Sequence, residues 1–224
     1  MPNQYNDAVL EIWKTHAEIN RSLPGIALFP MQRADLKINP DLLFIGMNPS
    51  FSKGLQKSDA APHYRWDSSM HQDKIDRLIN FEREAQQNYK IFFEPLRLFS
   101  LSVRADVFEN LDLLPVRHTS QSEVISSYWN KKEEAIEITK LFLELFKTTL
   151  LRINPRSIIV ANAGVSKKLI EILDLKSSDE NRSYRWQLMK EVPFFLSGML
   201  SGQRAIDKFS RDRLAADVRQ FLNN

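Results

Sequence analysis

The chain has no cysteine among its 224 residues. Disulfide bonds, thiolate metal sites and iron–sulfur clusters are therefore excluded, because each of them requires cysteine sulfur. The sequence also has no apolar run that approaches the ~20 residues of a membrane-spanning helix. Its first five residues, Met1-Pro2-Asn3-Gln4-Tyr5, do not resemble a signal peptide. We expect a cytoplasmic protein that is not bound to a membrane.

Histidines with metal-binding spacing are missing as well. His16, His63, His71 and His118 show no pattern such as His-x-x-x-His, so no metal or other cofactor is expected. The charge is nearly balanced, with 31 Lys and Arg against 28 Asp and Glu, a formal net charge of +3 and a pI of about 9.0. A mildly basic chain permits nucleic-acid binding without requiring it.

One apolar run stands out near the first quarter of the chain. Residues 42–45, Leu-Leu-Phe-Ile, predict a short strand that is buried on both faces, as in a parallel sheet. Gly46 and Pro49 end it. Asn48 therefore follows a core strand at its carboxyl edge, where open α/β sheets bind ligands. An ordinary Asn-Pro turn is the alternative interpretation, since short motifs often match by chance.

Further apolar segments read as strands at 105–111, 157–161 and 191–197, and helical periodicity lies between them. Alternation of strands and helices predicts a parallel sheet with right-handed crossovers. The expected fold is α/β: a three-layer α/β/α sandwich around a central, mostly parallel, four-stranded sheet. We predict a single domain over residues 1–224, with a helical extension at about 1–34.

Two motifs carry a family resemblance. Residues 43–50, Leu-Phe-Ile-Gly-Met-Asn-Pro-Ser, resemble the first catalytic motif of the uracil-DNA glycosylase superfamily, closest to the Gly-Ile-Asn-Pro-Gly version of its mismatch-specific members. Residues 197–204 fall where that superfamily has a second motif, His-Pro-Ser or Asn-Pro-Ser followed by one residue and Leu-Ser. Here Ser197 replaces the His or Asn, and Gly198 replaces the Pro. The resemblance begins at about Asp35 and implies the superfamily's three-layer fold.

The resemblance implies a monofunctional DNA N-glycosylase, a DNA-repair hydrolase that cleaves the N-glycosidic bond of a flipped uracil or related damaged base. The implied catalytic residues are Asn48, Ser197 and Ser201. Asn48 stands where fast members have an Asp, and an amide holds a water without acting as a general base, so slow turnover is expected. The missing His removes a usual donor to the pyrimidine O2.

Base recognition is expected from the strand ends and from the loop 51–67. The Asn110 amide would match N3–H and O4 of uracil, although an Asn in a strand-end turn is its ordinary alternative. The loop interleaves basic and aromatic residues, which suits a nucleic acid, but its rings could instead pack back onto the domain. The implied base-binding residues are Gly46, Met47, Phe51, Tyr64, Trp66 and Asn110.

DNA contacts are expected from a final helix over residues 203–222. Arg204, Lys208 and Arg211 would share one face of it, with a solvated basic stripe as the alternative interpretation. The implied DNA-binding residues are Lys53, Arg117, Gly202, Arg204 and Lys208.

DNA, single-stranded or mismatched, is the expected partner, and the protein is expected to act as a monomer without a metal cluster. Because fold does not fix function, a non-catalytic nucleic-acid or nucleotide-binding protein on the same scaffold is the competing hypothesis. A small-molecule enzyme unrelated to DNA is the third.

Overall fold

The fold is given by a computed structural model of the chain. The described residues are 4–15, 29–30, 36–50, 53–57, 59, 61, 72–118, 120–129, 133–178, 182–202 and 205–223.

The chain forms two compact units. The first comprises residues 1–35, 48–85 and 112–149, and the second comprises residues 36–47, 86–111 and 150–224. The single domain with an extension at about 1–34 stays a prediction.

The strands of the described residues are β1 (Phe29–Pro30), β2 (Leu42–Gly46), β3 (Phe108–Asp112), β4 (Val116–Arg117), β5 (Ser157–Ala161), β6 (Lys176–Ser177), β7 (Tyr184–Trp186) and β8 (Met189–Ser197). The helices are α1 (Gln4–Thr15), α2 (Lys53–Gln56), α3 (Gln72–Asn88), α4 (Lys90–Ser102), α5 (Gln121–Tyr128), α6 (Glu133–Ile153), α7 (Ala163–Ile172) and α8 (Lys208–Leu222). None of these helices is long and apolar enough to cross a membrane.

The second unit is built on a six-stranded sheet of order β3-β2-β5-β8-β7-β6. β2 runs parallel to β5, and β5 runs parallel to β8, whereas β7 and β6 add antiparallel pairs at one side. This confirms an α/β fold with a mostly parallel sheet. The four expected strands correspond to β3, β2, β5 and β8. β6 and β7 make the sheet larger than the four predicted strands, and Lys176 and Ser177 of β6 are exposed and carry no apolar pattern.

The start of β2 is tied to both neighbouring strands through Asp41. Its Oδ2 accepts the N–H groups of Asp106 and Val107, each at 3.0 Å. Its backbone oxygen accepts Ser157 N at 3.1 Å, and its Oδ1 lies 3.3 Å from Arg156 Nη1. Because β2, β3 and β5 start side by side, they run in the same direction.

The core of the second unit lies on the face of the sheet that α4 and α8 cover. Phe44 of β2 makes edge-to-face ring contacts with Phe99 of α4 at 6.1 Å and with Phe108 of β3 at 5.8 Å. Leu214 and Val218 of α8 belong to the same cluster. Truncating one buried Phe of this kind costs about 3–5 kcal/mol, so this face contributes strongly to stability.

The first unit has its own aromatic core, which contains one unsatisfied hydroxyl. Phe142 of α6 contacts the rings of Trp13 at 6.4 Å and Tyr128 at 5.8 Å. Thr139 donates its hydroxyl to Tyr128 O at 2.7 Å. The Tyr128 hydroxyl is buried and has no hydrogen-bond partner in the described part of the chain. Burial raises the pKa of Tyr128, because the charged form would lose its solvation.

Tyr128→Phe should therefore raise the free energy of unfolding by about 1 kcal/mol, since it removes a buried polar atom that has no partner. Thr139→Val should lower it by about 1 kcal/mol, because it removes the hydrogen bond from the Thr139 hydroxyl to Tyr128 O. Urea unfolding of both variants measures the two effects. A loss of stability in Tyr128→Phe would show that the hydroxyl has a partner.

Candidate functional site

The turn after β2 fixes the orientation of the Asn48 side chain. Asn48 is buried, and its Nδ2 donates to Pro49 O at 3.1 Å and to His118 O at 3.0 Å. Both acceptors are carbonyl oxygens, so the nitrogen of the amide must face them and the oxygen must face away. Asn48 Oδ1 is buried and has no hydrogen-bond partner in the described part of the chain. An unpaired buried acceptor costs about 1–3 kcal/mol, so this oxygen is a place for a bound donor.

His118 holds this turn through its backbone and through a fixed ring. His118 N donates to Pro49 O at 3.1 Å. The ring Nδ1 lies 3.0 Å from Ser120 N, and Nε2 lies 3.5 Å from a Glu123 carboxylate oxygen. Nδ1 also lies 3.0 Å from Ser120 O, so it faces both a donor and an acceptor of the same residue, while Nε2 faces the Glu123 carboxylate.

The His118 ring modifies the capping box of α5. Ser120 is the N-cap, and its Oγ accepts Glu123 N at 3.3 Å. In an ordinary capping box the Glu side chain would return to the N-cap N–H. Here His118 takes that N–H, and Glu123 pairs with the imidazole instead. His118 is not among the site residues predicted from the sequence, and the capping-box pattern Ser120-x-x-Glu123 beside it is the signal that points to it.

Arg117 is part of the same turn and is buried. Its Nε donates to Glu82 Oε1 at 2.8 Å, its Nη2 contacts both Glu82 carboxylate oxygens, and its Nη1 donates to Ser50 O at 2.8 Å. All three guanidinium nitrogens of Arg117 thus donate hydrogen bonds to Glu82 or Ser50. The charge of Arg117 is therefore paired within the chain, and its contact with DNA phosphate stays a prediction. The charge is visible in the sequence, but its carboxylate partner lies 35 residues away.

Arg117→Met should lower the free energy of unfolding by about 3–5 kcal/mol, because it leaves the Glu82 carboxylate buried without a counter-ion. The double variant Glu82→Leu with Arg117→Met should recover most of that loss, since an apolar pair replaces the ion pair. Urea unfolding of the single and double variants measures both. An unchanged free energy of unfolding in Arg117→Met would contradict a buried ion pair between Arg117 and Glu82.

In the second unit, the parallel strands β2, β5 and β8 end side by side at one edge of the sheet. The ladder pairs Ile45 with Val160, and Val160 with Leu196. The chain order of the strands reverses between β2 and β5, and the crevice at such a switch point is where α/β sheets bind ligands. Asn48 lies two residues beyond β2 in the chain. Met47 is buried, and Gly46 is half-buried. Their base-binding roles stay predictions.

The N-terminus of α7, at the end of β5, is already capped. Asn162 Oδ1 accepts the N–H groups of Gly164 at 2.9 Å and Val165 at 3.1 Å. A side chain at position 164 would lie 3.2 Å from that oxygen. Gly164 therefore allows a close approach of helix and cap, and the capping amide occupies donors that an anion would need.

The segment of the second motif has a steric reason for its glycine. A Cβ at Gly198 would lie 2.6 Å from Ile206 Cγ2, so neither proline nor another side chain fits in this arrangement. Ser197 ends β8, and its carbonyl accepts the Ser166 hydroxyl at 3.4 Å. Ser201 is buried, and Gly202 has φ of +79°, a left-handed conformation that favours glycine. The catalytic roles of Ser197 and Ser201 stay predictions.

The final helix begins later than the sequence predicts. α8 starts at Lys208, with Asp207 as N-cap accepting Ser210 N at 2.9 Å. Hydrogen bonds from Ser210 hold the pKa of the Asp207 carboxyl below its usual value. The predicted start of this helix at residue 203 is therefore wrong, because it begins at Lys208. Arg211 is half-buried and donates to Pro95 O at 3.3 Å, and the predicted DNA contacts of this segment stay predictions. Lys208 is exposed.

Some predicted site residues lie outside the described residues: Phe51, Tyr64, Trp66, Arg204 and the side chain of Lys53.

Asn110 lies inside its strand and not at the strand's end. It is the third of the five residues of β3, which runs to Asp112, and it is 8 % exposed. Its side chain lines a cavity on the face of the sheet that α4 covers. The role of Asn110 in reading a pyrimidine stays a prediction.

Comparison with models of known protein families found no match for this chain, and comparison with curated proteins found none either. The described residues contain no group of three or more His, Asp or Glu side chains that could hold a metal ion. The interpretation of the site therefore depends on its sequence motifs and on the geometry above.

Proposed function

We propose that the chain is a DNA N-glycosylase of the uracil-DNA glycosylase type, in which Asn48 holds the attacking water. The observation that carries the proposal is the unpaired, buried Oδ1 of Asn48. The motif of residues 43–50 and its position after a parallel core strand support it. The proposal includes a three-layer arrangement, with helices on both faces of the sheet.

The chemistry needs a water and not a metal or a covalent nucleophile. Cleavage breaks the bond between the sugar carbon and the base nitrogen, leaving positive charge on the sugar and negative charge on the base. The water oxygen bonds to that carbon, and its proton passes to the departing base or to solvent. Asn48 Oδ1 accepts a hydrogen bond from the water and thereby orients its lone pair. Orientation of this kind lowers the barrier without proton transfer to the amide.

The hydrogen bonds of the Asn48 amide are ones that an aspartate carboxylate at position 48 could not make. Nδ2 of Asn48 satisfies two backbone carbonyls, Pro49 O and His118 O. A carboxylate has no hydrogen to donate, so it would face both carbonyl oxygens with repulsion. Asparagine at position 48 is thus required by the turn, and slow water-positioning catalysis follows from that requirement.

Asn48→Ala should abolish base excision, with at least a roughly 100-fold loss, because the water is no longer positioned. The assay incubates the protein with oligonucleotides that carry uracil, hypoxanthine, xanthine or mismatched thymine and detects alkali-labile sites. Far-ultraviolet circular dichroism controls for folding. Full activity in Asn48→Ala would refute the role of Asn48, and the absence of activity on all substrates in the unsubstituted protein would refute the proposed reaction.

Asn48→Asp should not accelerate excision, although a carboxylate serves as the water-activating group in faster glycosylases. We expect it to lower the free energy of unfolding by about 1–3 kcal/mol, since two carbonyl acceptors lose their donor. Single-turnover rates across pH 5 to 9, measured beside urea unfolding, check both effects. A faster and equally stable Asn48→Asp protein would contradict the fixed orientation of the amide.

A non-catalytic nucleic-acid binder on the same scaffold is the second candidate. The close approach of Ile206 to Gly198 favours it, because a Cβ at the Pro position of the second motif would lie 2.6 Å from Ile206 Cγ2 unless Ile206 moved. Ser197 in place of His also removes a donor to the departing base. A binder of this type would show salt-dependent affinity for DNA and would leave no alkali-labile site.

A further inference from the structure

A separate cavity of about 210 Å³ lies in the second unit, between the beginning of α4 and the strand β3. Lys90 and Phe93 line it from the helix, and Phe108 and Asn110 line it from the strand. At ~30 Å³ for each water, its volume corresponds to about seven water molecules. A single ring with one substituent is a ligand of that size.

The base of the cavity carries a buried amide without a partner. Asn110 is 8 % exposed, its backbone N–H is taken by Glu109 Oε1 at 2.8 Å, and its side-chain amide makes no hydrogen bond with any described residue. An amide offers one acceptor and two donor hydrogens. A polar group of a bound ligand would pair with these positions.

Two ammonium groups at the cavity, those of Lys37 and Lys90, make no ion pair with any described residue, and the charge of Lys90 attracts the Glu94 carboxylate. Arg97 donates to the Glu94 carboxylate at 2.8 Å and 2.5 Å, and this pairing holds the pKa of Glu94 below its usual value. The Glu109 carboxylate accepts two backbone N–H groups. The Lys37 ammonium donates to Phe108 O at 3.0 Å. Lys90 is exposed and has no ion pair with any described residue.

The beginning of α4 adds a field that favours an anion. Lys90 is the first of the 13 residues of this helix, and the N-cap Tyr89 provides no side-chain hydrogen bond. Tyr89 therefore adds no side-chain acceptor at the positive end of this helix dipole, although the C-terminus of α3 at Asn88 directly precedes it. An anion beside Lys90 would meet the ammonium group. Phe93, one turn further on, presents a half-buried ring to the cavity.

We propose that this cavity binds an aromatic or heteroaromatic molecule that carries one anionic group, a carboxylate or a phosphate. The anion would face Lys90 and the N-terminus of α4, the ring would lie against Phe93, and a polar atom of the ligand would meet the Asn110 amide. The proposal does not depend on the role of Asn48, because none of these residues belongs to the turn of Asn48, Pro49, Ser50 and His118, and it assigns Asn110 a ligand other than the predicted pyrimidine.

Isothermal titration calorimetry tests it with benzoate and phenyl phosphate, each titrated into the full chain. At least one of the two should bind, and the tighter one identifies the anionic group. Lys90→Gln should weaken that binding about tenfold, because a charge-assisted hydrogen bond contributes about 1.5 kcal/mol. Asn110→Leu should weaken binding of a ring with a polar substituent, 4-hydroxybenzoate or 4-nitrophenyl phosphate. Lys167→Gln, an exposed lysine on α7, is the matched control and should change nothing.

Four results would overturn the proposal: neither anion binds, Lys90→Gln leaves the affinity unchanged, inorganic phosphate binds as tightly as phenyl phosphate, or neutral uracil binds as tightly as either anion. The last result would assign the cavity to base reading instead. Lys90 is exposed, so its variant should fold, and the test stands even if Asn110→Leu does not. Failure here leaves the excision assay unaffected, because that assay depends on Asn48.

Discussion

Burial of β2 on both faces is the constraint on which the remaining structure depends. Residues 42–45 are almost completely excluded from solvent, and β3 and β5 flank the strand within the sheet. A strand in that position is central, so its carboxyl end must open at the edge where parallel strands finish together. The Asp41 contacts set the opposite end. Asn48 follows this strand two residues later in the chain, and its amide is oriented by hydrogen bonds within its own turn.

The turn is held by backbone acceptors and by a buried ion pair, and these contacts explain its polar residues. Pro49 O and His118 O determine which end of the Asn48 amide points away from the protein's own groups. Arg117 and Glu82 lock Ser50 and the strand β4 in place. A buried ion pair contributes little net free energy to folding, but it holds its two side chains in one arrangement. Positioning of a water at Asn48 requires a turn held in this way. The catalytic proposal therefore assigns a structural task to Arg117, which the sequence had suggested as a phosphate contact.

The sequence predicted those elements whose identity depends on buried apolar runs. The predicted strand at residues 157–161 has the same bounds as β5, and the apolar run at residues 42–45 predicted β2. Polar elements were missed or misplaced. β6 shows no periodicity, and Asp207 starts α8 as an N-cap that overrides the basic periodicity before it. The pairing of Arg117 with Glu82 and the empty acceptor of Asn48 depend on contacts distant in sequence, which no local pattern contains.

The central claim is that Asn48 Oδ1 accepts a hydrogen bond from an ordered water. A crystal structure at about 1.2 Å resolution or better measures this most directly, since hydrogen positions and amide orientation become visible there. The account predicts Nδ2 facing Pro49 O and His118 O, with a water 2.5–3.0 Å from Oδ1, about the length of an O–H···O hydrogen bond. A reversed amide, or an Oδ1 that contacts only apolar atoms, would contradict it.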